Sequence, residues 1–138
     1  MKDMITFAKY LILLLLLSFG GTMSAGAQNS IDKMVENYST VGSSKFTSVV
    51  ERDPETRQVQ KVVKVLQVPG HQAAQFRNAF ISEKETGTFT QQQQGDEQTL
   101  TLTCETPQQA RIYMLRLSGR HTYYHSGKVT IIVKMKRR

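Results

Sequence analysis

Between Glu97 and Glu105 the side chains alternate. Leu100, Leu102 and Cys104 fall on one face of an extended chain, and Thr99, Thr101 and Thr103 fall on the other. A period of two is the signature of a strand with one buried face. It is the clearest strand signal in the sequence. Other segments have strand composition: 46–51 combines β-branched residues with an aromatic, 59–68 is dense in valine, and 88–93 is polar. In 59–68 the phase is mixed, with Val59, Val63 and Val65 on one face and Val62, Leu66 and Val68 on the other. A bulge or a strand covered on both sides accounts for that, and a helix is the alternative.

Punctuation separates these runs. Asp53-Pro54-Glu55-Thr56 reads as a turn, because proline presets the dihedral of the second position. Pro69-Gly70, Gly87 and Gly95-Asp96 are further breaks. Three helices are expected. The first, over 29–38, takes Asn29 or Ser30 as its cap, places Asp32 near the positive end of the helix dipole, and lines up Ile31, Met34, Val35 and Tyr38. The second, over 71–85, carries Ala73, Phe76, Phe80 and Ile81 on one side. The third opens at Thr106-Pro107-Gln108-Gln109 with capping chemistry, places Ala110, Tyr113, Met114 and Leu117 in a stripe, and ends at Gly119. A terminal hairpin over 120–125 and 128–136, turning at Ser126-Gly127, completes the reading. The expectation is an α+β fold: a mostly antiparallel sheet with helices on one face, in the order helix-strand-strand repeated three times.

The amino terminus sets the address. Lys2 and Lys9 precede an apolar run centred on Leu13 to Leu17, and Ala25-Gly26-Ala27 has the form of a cleavage site. That order predicts a signal peptide over residues 1–27. The run is too short to cross a bilayer, so nothing is expected to remain in a membrane after cleavage. Residues 28–138 then form one compact domain, exported to the periplasm or the cell exterior. A single cysteine excludes an internal disulfide. The leader holds Lys2, Lys9 and Asp3, so the domain keeps 16 basic and 10 acidic residues, a net +6. Export argues against nucleic acid and points to an acidic protein, a glycan or another envelope component.

Candidates for chemistry are few. Cys104 precedes the third expected helix, but its strand face is shared with Leu100 and Leu102, which favours core packing over nucleophilic use. His121 and His125 on a strand stand about 13 Å apart, too far to share one ion. His71 stands alone after the Pro69-Gly70 break. No nucleophile elbow, phosphate loop or dinucleotide motif occurs, so no catalytic residue, metal ligand or cofactor is expected. Binding has better candidates. Lys134, Lys136, Arg137 and Arg138 concentrate charge at the carboxyl end, where they either guard a sheet edge or combine with Arg111, Arg116 and Arg120 as a patch. Alternation along the strand leaves one of Tyr123 and Tyr124 at the surface.

The Ala25-Gly26-Ala27-Gln28 junction, the Ile31-Asp32-Lys33 opening of the first helix and the Arg52-Asp53-Pro54-Glu55-Thr56 turn together resemble short exported proteins of unknown function common in Bacteroidales. The resemblance implies export and a compact domain, and brings no activity or site residues. The expected role is therefore a non-catalytic binding or interaction module for an acidic or protein ligand. The alternatives are a structural subunit of an envelope assembly and a hydrolase using Cys104 with a histidine.

Overall fold

The computed structural model describes residues 29–120 and 123–136. The expected signal peptide lies outside them. Helix α1 spans Ser30–Tyr38 and is followed by strands β1 (Lys45–Arg52) and β2 (Val59–Pro69). Helix α2 (Gly70–Ser82) and a 3-10 turn (Lys84–Thr86) lead into β3 (Thr88–Gln94), β4 (Glu97–Glu105), β5 (Gln109–Arg120) and β6 (Tyr123–Met135). All six strands form one antiparallel sheet in the order β1-β2-β6-β5-β4-β3. The last four strands form a meander whose final member returns to pair with β2. Helix α2 carries the chain from β2 to the far edge.

This overturns the expected α+β arrangement of three helix-strand-strand units. Among the described residues there are two α-helices, and the third expected helix is strand β5. The sequence 109–118 supports both periods. Ala110, Tyr113, Met114 and Leu117 have helical spacing, but Tyr113, Leu115 and Leu117 also alternate and are the fully buried ones. β5 also carries Ile112 and Met114, both half-buried, on the open face, and that blurs its period. The capping chemistry at Thr106 exists, but in a hairpin turn. Its hydroxyl oxygen accepts from the Gln109 and Gln108 amides at 3.1 and 3.3 Å, while its own amide donates to the Gln109 carbonyl at 2.9 Å.

The expected turn at Ser126-Gly127 is also overturned, because β6 runs unbroken through it. Glycine within a strand often marks the close approach of another element. Here a Cβ on Gly127 would stand 2.8 Å from the Cβ of Ala73, so the bare glycine lets α2 lie directly on β6. Gly70 does the same at the helix start, where a Cβ would meet the Tyr124 carbonyl oxygen.

Both helices lie on one side of the sheet. The core joins Ile31 and Val35 of α1 with Ala73, Phe76 and Phe80 of α2 and with the inward residues of β2, β4, β5 and β6. Leu66, Val129, Leu115 and Leu100 follow one another across the sheet in one register row and are fully buried. The turn at Asp53 forms as its residues require: the side chain accepts from the Glu55 and Thr56 amides at 2.8 and 2.9 Å, and Arg57 takes the left-handed conformation.

Candidate functional site

The most concentrated charged chemistry joins α1 to β5. Asn29 caps α1 by accepting from the amides of Ile31 and Asp32, and the Asp32 carboxylate returns the bond to the Asn29 amide at 3.0 Å. This is a capping box with Asp in the reciprocal position. The same carboxylate accepts from Arg111 Nη2 and from the Tyr113 hydroxyl, both at 2.8 Å, and Arg111 Nε donates to the Tyr113 oxygen at 2.9 Å. Burial, foremost, and the facing Asp32 carboxylate push the Tyr113 phenol far above the ordinary tyrosine value, with Arg111 opposing. Burial alone would favour a neutral Arg111, but Asp32 and Tyr113 more than offset it and hold its pKa above the ordinary arginine value. The closed ring of partners locks an amino-terminal helix to the middle of the sheet. Its arrangement is that of a fastening rather than a reactive centre, since every polar atom named is already matched.

The predicted binding residues do not converge on one patch. Arg111 turns inward to Asp32. Arg116 lies on the opposite, helix-free face and pairs with Glu97 at 3.0 Å. Lys134 lies on that same open face but opposite Ala110, six residues and about 20 Å along β5 from Arg116. Lys136 is 3.6 Å from Glu105. The backbone of Arg120 pairs with Tyr123. Tyr123 is 71% exposed with its ring edge-on to His125, whereas Tyr124 is buried beneath the start of α2. Arg137, Arg138 and His121 lie outside the described residues.

Cys104 is half-buried at the margin of the core, its sulfur 3.8 Å from the Thr86 hydroxyl. His71 sits in the first turn of α2 and Cys104 beyond its last, about 18 Å of helix apart. Among the described residues no three His, Cys, Asp or Glu side chains gather to hold a metal ion. No helix among them is long and apolar enough to cross a membrane.

One group of charges was not legible from sequence. Lys61 of β2 stands directly opposite Lys134 of β6, and Glu51 of β1 is opposite Lys61 on its other side. These residues, with Lys136, Met135 and the Asp53 turn, line a concavity of about 870 Å³ at one end of the sheet. Like charges directly across a ladder disfavour each other, so the Lys61–Lys134 pair is a place where an anion is favoured. Only the strand register brings these two lysines together, since 72 residues of chain separate them.

Residues 28–118 match the family described as domain of unknown function (DUF5024), and the chain belongs to that family. The matched span stops before β6, which nevertheless sits between β2 and β5 and joins the two halves of the sheet. No curated protein matches the chain. No solved structure matches it either.

Proposed function

We propose that the chain is an exported, non-catalytic binding module that recognises an acidic segment of a protein partner. The observation carrying this reading is the facing pair Lys61 and Lys134 beside Lys136, in a concavity that also exposes Met135 at 41%. The lining holds three ammonium groups against the carboxylates of Glu51 and Asp53, a basic excess that attracts carboxylates. Met135 adds an exposed apolar contact at its margin, which suits a peptide better than a simple anion. Export is supported by the charge, apolar run and cleavage site of residues 1–27, and by the resemblance to exported Bacteroidales proteins. The family match also begins at residue 28, directly after the expected junction.

The test is fluorescence anisotropy of a labelled oligoglutamate peptide titrated with the wild-type protein and with the triple variant Lys61→Gln, Lys134→Gln, Lys136→Gln. Binding that weakens with added salt and is lost in the variant is the expected result. Equal affinity in the variant would remove this concavity from consideration. A second reading, a structural subunit of an envelope assembly, is favoured by the exposed edge strand β1.

A further inference from the structure

The sheet ends in two edges, β1 and β3, and they are built differently. Strand β3 carries no charged side chain, and its one large apolar residue, Phe89, is half-buried against the core. Both strands are exposed along nearly their whole length, and the difference lies in what β1 presents. It carries two adjacent large apolar side chains, Val49 at 63% and Val50 at 48% exposure, which point to opposite faces of the sheet. Natural edges are commonly blunted by a central lysine, a proline or an inward charge. Strand β1 has none of these in its middle and places its charges at its ends, Lys45 at the start and Glu51 and Arg52 at the finish.

That distribution is self-complementary. We infer that β1 pairs antiparallel with β1 of a second copy of this chain about a two-fold axis at Ser48, joining two six-stranded sheets into one. In this register Lys45 faces Glu51 of the second copy, Phe46 faces its Val50, and Thr47 faces its Val49, each pair occurring twice. Phe46 already packs at the margin of the core, and Val50 lies opposite Val62, another marginal core residue. The Phe46–Val50 contact therefore continues the hydrophobic layer across the junction as an aromatic and β-branched cross-strand pair. Glu51, which faces Lys61 within its own sheet, would lie between two lysines on the open face.

Alternative registers are worse. A shift of one residue sets Lys45 against Arg52 in one direction or against Val50 in the other, and places the second copy's helices on the opposite side. A shift of two sets Lys45 against Val49 in one direction, or Phe46 against Arg52 in the other. Charge thus selects one register, and the valines supply the apolar contact.

Sedimentation equilibrium of the purified protein tests this through charge exchange. Lys45 and Glu51 are both exposed, and since Glu51→Lys also sets a lysine opposite Lys61, circular dichroism and thermal melts check that each variant keeps the monomer fold. The wild type is expected to be a dimer. Lys45→Glu alone or Glu51→Lys alone turns two attractions into two repulsions and should raise the dissociation constant about tenfold or more. The double variant Lys45→Glu, Glu51→Lys should restore dimerisation, and Val49→Lys should abolish it. A wild type that remains monomeric at all concentrations, single exchanges that sediment like wild type, or a double exchange that fails to restore the dimer would each overturn the proposal. The lysine-to-glutamine triple variant that tests acidic-peptide binding keeps both Lys45–Glu51 pairs and should still dimerise, so the two readings fail separately.

Discussion

Strand β5 carries an arginine–carboxylate pair on each of its faces. Arg111 meets Asp32 at 2.8 Å on the helix-covered face, and Arg116 meets Glu97 at 3.0 Å on the open face. The distances are nearly equal, but the surroundings are not. The first pair's side chains are 13% and 6% exposed, and the second pair's are 51% and 53%. Water screens the second pair, and holding two long side chains in place offsets what attraction remains. In the first pair the charges are removed from water, so each needs its partner, and Tyr113 and the Asn29 amide complete the set. Burial, far more than separation, determines how much the fold depends on an ion pair.

Matched substitutions turn this contrast into numbers. Asp32→Ala should destabilise the fold by about 3–5 kcal/mol, because it strands Arg111 and removes the reciprocal half of the cap. Glu97→Ala should cost less than about 1 kcal/mol. Chemical denaturation of both variants measures the difference, and similar losses would break the distinction between the faces. The adjacent residues Leu115 and Met114 repeat the test with apolar side chains. Leu115 is fully buried and Met114 only half-buried on the open face. Leu115→Ala should lose about 2–5 kcal/mol, whereas Met114→Ala should lose about 1 kcal/mol. A large loss at Met114 would indicate that the open face is covered in solution, which the same denaturation curves would reveal as a concentration dependence.

How much of this was readable in advance divides along the same line. Helices α1 and α2, the turn at Asp53 and strand β4 follow from caps, breaks and period, which act within a few residues. Strand β5 did not, because its two faces are both apolar in part, and Tyr113, Met114 and Leu117 fit a helix as well as a strand. Thr106 added to the misreading, since a hydroxyl accepting from amides two and three residues on serves a turn and a helix start alike. The Asp32 network was invisible for a different reason. Its members lie 79 and 81 positions apart, and only the return of β5 beneath α1 brings them into contact. The lysine pair at Lys61 and Lys134 depends on register in the same way.

Gly127 marks where the covered face is tightest. Gly127→Ala would press a methyl group to 2.8 Å from the Ala73 Cβ and 3.3 Å from its Cα, forcing α2 away from β6. The expected cost is about 1–3 kcal/mol, the usual range for overpacking. The companion variant Gly95→Ala meets no atom within 4 Å, but its φ of 61° makes it a test of backbone strain instead. Thermal melts should therefore show both variants destabilised while only Gly127→Ala loosens helix packing, read by faster amide exchange in α2.

The last effect expected is also specific to the covered face, and it appears only in alkali. The Tyr113 phenol is buried beside a carboxylate, so its pKa in the folded chain lies well above the ordinary value of about 10 that it regains on unfolding. Below that value both states hold the proton, and the contribution of Tyr113 to stability is fully present. As the pH rises past it, the unfolded chain releases the proton while the folded chain keeps it. Unfolding is then favoured, and the contribution is lost as the pH approaches the folded-state pKa. One pH unit above the unfolded value the loss should be about 1.4 kcal/mol. Tyr113→Phe starts less stable, because Asp32 and Arg111 lose a partner, but it should show a shallower alkaline decline than wild type. Parallel slopes for the two proteins in urea denaturation between pH 9 and pH 11, about one unit either side of the phenol's ordinary pKa, would mean that Tyr113 reaches water. Its hydrogen bond to Asp32 would then belong with Arg116 and Glu97 among the interactions that the fold can lose cheaply.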